Sequence, residues 1–207
     1  MSWSAKRADK KTEEQPTEPA VLLKQNSAKT PAEPKKHKGL SVHELTVFAM
    51  LGALMFCSKL LMEWAPNIHF LAMFILAFTA VYRWRAVIPL YVFVFLTGVY
   101  AGFSVWWAPY LYIWLPLYLV GCLMPRRMKP AVAVPVYMVA AALHGLSYGT
   151  LYAPAQAFFF HLNFEQTLAW IVVGFPYDVT HAIGNTAAAT LVLPLSKLLN
   201  RLEKNSR

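Results

Sequence analysis

The sequence predicts an all-α membrane protein with six transmembrane helices. Three observations carry this. Hydrophobic residues make up 57% of the 207 residues and charged residues only 14%, against roughly half and a quarter in ordinary soluble domains. The apolar residues fall in long blocks near the length a helix needs to cross a bilayer. Lys and Arg gather at alternate ends of those blocks, as the inside-positive rule requires. The formal net charge of +9 therefore reads as membrane topology, and no nucleic-acid partner is expected.

Residues 1–38 read as a disordered, basic, cytoplasmic tail. Nine of the nineteen Lys and Arg lie before Gly39. They mix with Glu13, Glu14 and Glu18, and Pro16, Pro19, Pro31 and Pro34 interrupt any helix. Such a segment buries too little apolar surface to order itself. No apolar stretch follows the basic start as in a cleavable signal peptide. Lys35, Lys36 and Lys38 place the tail on the cytoplasmic side of the first span. Residues 39–207 form the second expected unit, a six-helix transmembrane substrate-binding domain.

Span one covers about residues 43–62, with Lys59 and Glu63 spaced i, i+4 at its outer end to pair and snorkel. Span two, about 67–82, is short. Asn67 and His69 mark its outer end, and Arg83 and Arg85 follow its inner end. Span three covers about 86–106, with Pro89 in its first turn. Trp106, Trp107 and Tyr110 then supply an aromatic belt or a stacking platform. Span four covers about 111–124, with a kink expected at Pro116. Arg126, Arg127 and Lys129 return the chain to the inner face, and span five covers about 131–148.

Residues 153–175 are apolar, but Asn163, Glu165 and Gln166 divide them into halves too short to cross. Asn163 and Gln166 have capping-box spacing. The stretch reads as a re-entrant or interfacial hairpin, an outer lid between helices five and six, allowed where its backbone lines protein or a cavity. A seventh span would place Arg201, Lys204 and Arg207 outside. With six, every Lys and Arg except Lys59 lies inside and both termini are cytoplasmic. The last span opens at Gly174, with Pro176 in its first turn, and runs to about Leu199.

Asp178, His181 and Asn185 are spaced i, i+3, i+7 on one face of that last helix. Asp178 is expected near the helix N-terminus, where the dipole favours a negative charge. Ionisable groups inside membrane helices usually face a cavity or a partner, although the three also suit a role in holding helices together by hydrogen bonds. Glu63, Asn67, His69, Trp106, Trp107, Tyr110, His144, Tyr148, Tyr152 and Gln156 gather at the same outer end. Few polar groups among many apolar ones describe a small-molecule pocket. No matching polar line runs through the inner half, so the chain is equipped to capture a solute and poorly equipped to release it alone. Aromatic rings there suit a flat heterocycle; Asp178 suits a cation or ring N–H, and His181 and Asn185 suit carbonyls or hydroxyls. His69, His144, His161 and His181 lack tight metal-ligand spacing, so no metal or cofactor is expected. Cys57 and Cys122 lie in apolar runs without metal or redox spacing and read as small buried hydrophobes.

Several stretches together resemble the S component, the substrate-binding membrane subunit, of energy-coupling factor (ECF) transporters. They are Ala49-Met50-Leu51-Gly52-Ala53; Pro66-Asn67-Ile68-His69; the run from Trp106 to Tyr112; the run from Tyr148 to Gln156; and the run from Gly174 to His181. The resemblance covers about residues 40–199. It implies capture of a vitamin-like solute from outside, in the cell membrane. It also implies docking on a transmembrane coupling subunit through the alanine motif, and energy from two ATPase subunits, with the S component toppling to release its cargo. The small stripe of Ala49 and Ala53, with Gly52 beside it, suits close approach of a partner helix. No G-x-x-x-x-G-K-[ST] occurs, so ATP hydrolysis is expected in the partners and the chain itself is not expected to be an enzyme. The competing reading is a rhomboid-like intramembrane serine hydrolase: Gly145-Leu146-Ser147-Tyr148-Gly149 matches G-x-S-x-G, and His181 is its candidate base. That motif ordinarily needs a strand–turn–helix setting, and Tyr148 stands where rhomboids have Gly.

Overall fold

A computed structural model describes residues 39–65 and 67–205. The tail expected over 1–38, Pro66 and Arg207 lie outside the described residues. The described chain is all-helical, with eight α-helices: α1 Val42–Leu61, α2 Leu71–Tyr82, α3 Val87–Ala101, α4 Leu115–Leu123, α5 Pro130–Leu146, α6 Tyr148–Phe160, α7 Phe164–Ala189 and α8 Val192–Asn205. Short 3-10 turns occupy Arg83–Ala86 and Ala108–Leu111. By length and composition three helical runs, Val42–Leu61, Leu71–Ala101 and Pro130–Phe160, suffice to cross a membrane, although the second turns back on itself at Arg83. The bent pair of α7 and α8 makes a fourth if counted as one span. Large apolar side chains cover much of the outer surface, including Met50, Leu61, Leu123, Phe164 and Val173. This is the character of a helical membrane protein.

Local chemistry explains most boundaries. Ser41 and Glu44 form a capping box at the start of α1, which begins where expected. Asn163 and Gln166 form the expected capping box and start α7. His161, at positive φ, ends α6 just before them.

Arg83 breaks the helical run Leu71–Ala101, with φ 56° and ψ −129°. Tyr82 stacks edge-on against Phe48, and Arg85 pairs with Glu44 at 2.5 Å. Both contacts place the break beside the start of α1. Phe56 meets Tyr100 further along, so α3 runs parallel to α1 and α2 runs against both. The Arg83 guanidinium donates to the carbonyls of Cys122 and Met124. It thereby satisfies the free C-terminal carbonyls of α4 and complements that end of the helix dipole. The C-terminus of α4 therefore lies at the Arg83 end of the bundle.

Four expectations need correction. Span four is reduced to α4, nine residues long, and Pro116 opens the helix instead of kinking it. Proline fits there because first-turn N–H groups lack intrahelical partners. The last long helix does not open at Gly174. It starts eleven residues earlier at the Asn163 cap, and Pro176 lies in its interior, as membrane helices tolerate. Its straight course ends at Ala189, and α8 leaves at 48°. Residues 153–175 are not a separate re-entrant element. The expected hairpin is there, but it is the tip of a longer antiparallel pair, continuous with α5–α6 on one side and α7 on the other. Finally, Cys122 is buried but Cys57 is exposed.

The hairpin is held by unusually close contact. A Cβ placed on Gly145 would fall 2.6 Å from the Ala182 Cα. Asn185 donates to the Ala141 carbonyl at 3.4 Å. Glycine at 145, and again one turn on at 149, is what lets the two helices approach so closely.

Candidate functional site

Asp178 is the site's central group. It is 3% exposed and sits in the middle of α7, not near that helix's N-terminus as expected. It faces the N-terminus of a different helix. Gly149 is the second residue of α6, which follows α5 after Ser147 alone. Gly149 N–H donates to Asp178 Oδ1 at 2.8 Å. Asp178 Oδ2 is buried without a hydrogen-bond partner.

Aromatic and imidazole rings surround it. His181 stacks on Tyr148 at 4.4 Å between centroids and lies 5.1 Å from His69. Trp114 joins the cluster by contacting His69, Tyr110, Tyr148 and His144. Tyr152 stacks on Trp170 with the ring planes 17° apart. The Tyr152 hydroxyl donates to the Trp106 carbonyl at 2.5 Å. His144 Nε2 lies 2.9 Å from the Ile113 carbonyl, so Nε2 carries the proton and Nδ1 is an acceptor. The Nδ1 atoms of His69, His144 and His181, and Trp114 Nε1, are buried without partners.

A cavity of about 230 Å³ opens between the halves of the hairpin. Its walls are Asn67, Tyr148, Gly149, Tyr152, Trp170, Gly174, Tyr177, Asp178 and His181. Asn67 reaches it from a turn at φ 63°. A second cavity, about 670 Å³ and apolar, lies between α4 and α5, lined by Pro116, Leu117, Val120, Val139, Leu143 and Ser147 among others.

Of the site residues expected from the sequence, Asn67, Tyr148, Asp178 and His181 line the smaller cavity. His69, Tyr110 and His144 stand behind it in the ring cluster. Trp106 contributes its carbonyl to Tyr152 and its ring to Tyr110. Trp107 turns the other way: its Nε1 donates to Val94 O at 2.9 Å, tying the loop to α3. Asn185 is buried one turn below His181 and serves the hairpin contact. Gln156 is half-buried on α6 and is not among the cavity walls.

Sequence reasoning missed Trp114, Trp170, Gly149, Gly174 and Tyr177. Gly149, Gly174 and Tyr177 belong to the motif stretches; Trp114 and Trp170 sit in apolar runs with nothing to distinguish their direction. Among the described residues, no group of three or more His, Cys, Asp or Glu is placed to hold a metal ion.

Two further motifs have definite places. Gly52 is buried, and a Cβ there would fall 2.6 Å from Val92 Cβ. It is used by the contact between α1 and α3 and is not part of a free docking stripe. Ala49 is exposed and Ala53 half-buried. The Ser147 hydroxyl donates to the His144 carbonyl of its own turn at 3.0 Å. Ser147 lines the apolar cavity, whereas His181 lines the polar one.

Compared with family models, curated proteins and solved structures, the chain has no significant match. The fold and site define a helical membrane protein with a polar, aromatic cavity at one end of its bundle.

Proposed function

We propose that this chain is the substrate-capture subunit of an ECF-type importer, taking a small vitamin-like solute from outside the cell. The single observation that carries the reading is the Asp178 cavity. It lies at the His69 end of the bundle, opposite the Arg83 end. In this reading the reversal at Arg83 and the short α4 each count as a pass, which gives six, and the inside-positive rule assigns both termini to the cytoplasmic side with Arg83, Arg85, Arg126, Arg127 and Lys129. The cavity then faces outward. Ala49 and Ala53 remain as the small surface for a transmembrane coupling subunit, which two ATPase subunits drive.

Mass spectrometry of solutes released from the detergent-purified chain tests the reading. A reproducible small molecule is expected, and its loss from His181→Ala with normal expression. No such molecule, together with uptake that does not require the chain, would refute capture. The hydrolase alternative predicts labelling by a fluorophosphonate probe that Ser147→Ala abolishes. The placement of Ser147 and His181 on different cavities supports the opposite outcome, no labelling of either protein.

A further inference from the structure

Resting on the capture reading, we infer that the cargo presents a cationic or amidine-like N–H donor group on a small flat ring, received by Asp178 Oδ2. Oδ1 already accepts from Gly149. Oδ2 is buried beside Gly149 and has no partner, and its residue is one of the cavity walls. The cavity walls include no Lys or Arg, and nearby Lys59 pairs with Glu63 at 3.5 Å. A buried carboxylate with no internal countercharge attracts a positive donor and repels an anion.

The remaining walls select shape. Tyr148, Tyr152 and Trp170 give the cavity aromatic walls, which favour flat rings and cations. At ~30 Å³ per water, the cavity has room for about eight waters. That suits one ring with one or two substituents, or the end of a longer molecule. Gly149 keeps the carboxylate in place: a Cβ there would fall 2.7 Å from Oδ2, so no larger residue leaves this oxygen where it is.

Three flat probes of equal size and different charge test the inference: benzamidinium, benzamide and benzoate. Each is titrated against the full detergent-purified chain, with thermal unfolding and equilibrium binding as readouts. Benzamidinium is expected to bind about 10- to 100-fold more tightly than benzamide, the range for a charge-assisted hydrogen bond, and benzoate not at all. Asp178→Asn, which keeps the acceptor for Gly149 N–H, is expected to erase the preference. Gly149→Ala, which displaces Oδ2 but leaves the charge, is expected to reduce it. Preference for benzoate, no binding of any probe, or an unchanged preference in both variants would overturn the inference. If in any of those cases a solute still co-purifies and Asp178→Asn retains it, the capture reading stands without the cationic cargo. If none co-purifies and uptake is independent of the chain, both fall.

Discussion

Gly145→Ala probes the contact that builds the site. The added Cβ would lie 2.6 Å from both the Cα and N of Ala182 and 2.9 Å from the His181 carbonyl carbon. These are backbone atoms and cannot rotate away. Carbon contacts are comfortable at ~3.5–4.0 Å, so α5 and α7 must separate by about 1 Å. Overpacking of this kind costs ~1–3 kcal/mol. Alanine recovers ~0.5–1 kcal/mol relative to glycine in a helix interior. Because the obstacle is backbone, the cost falls in the upper half of that range, ~2–3 kcal/mol, and the net expectation is a loss of ~1–2.5 kcal/mol, or a fall in Tm of about 2–10 °C for a chain this size. Gly174→Ala is the control. It lies within α7, and a Cβ added there would meet nothing within 4 Å, so only the helix-propensity gain applies and Tm should hold or rise. Thermal unfolding of the purified proteins in one detergent measures both. If Gly145→Ala matches the wild type, or Gly174→Ala falls equally, close packing is not the reason for glycine at 145. The motif's glycines would then be open again to a catalytic explanation.

Three other outcomes are expected. Ala49→Leu should abolish uptake and co-purification with coupling subunits without loss of stability, because Ala49 is exposed; Gly52→Ala should instead destabilise the isolated chain, because its Cβ collides with Val92. Cysteines placed in the tail and at Asn205 should both resist an impermeant thiol reagent in intact cells, and labelling of only one would remove the six-pass topology. Pro176→Ala restores a backbone donor one turn after Val172 in the interior of α7 and should raise the unfolding temperature; because Pro176 sits two residues before Asp178, it should also weaken capture, and unchanged values of both would show the proline to be incidental.

The sequence made some elements legible because their signals are local. Asn163 and Gln166 mark a helix start by hydrogen bonds they make themselves. Asp178 and His181 share a face by helical geometry alone, and both reach the cavity. Other features depend on what lies across the bundle. Proline at a helix start and proline inside a membrane helix look the same in sequence, so Pro176 suggested a beginning where the helix was already under way. A small residue that admits a partner helix looks the same as one that admits a neighbour in the same chain. Gly52 therefore read as docking surface, although Val92 lies against it. Trp114 sits in an apolar run where tryptophan ordinarily reads as membrane anchoring, and only the fold turns it towards His69 and His144.

The distribution of unsatisfied groups argues that the cluster around Asp178 is more than helix glue. Among the described residues, the buried side-chain atoms without partners are His69 Nδ1, Tyr112 Oη, Trp114 Nε1, His144 Nδ1, Asp178 Oδ2 and His181 Nδ1. All except the Tyr112 hydroxyl belong to one cluster of rings around the carboxylate. Groups selected only to join helices would be paired with each other, as Asn185 is with Ala141. Each unpaired buried group costs about 1–3 kcal/mol. Asp178 and His181 both line the cavity, so one solute that pairs with both recovers on the order of 2–6 kcal/mol. That recovery occurs only in the loaded protein, and it adds directly to the protein's resistance to unfolding. Ligand-induced thermal stabilisation should therefore be large for the wild type. Without Asp178 it should be much smaller, even where the unloaded variant is as stable as the wild type or more so.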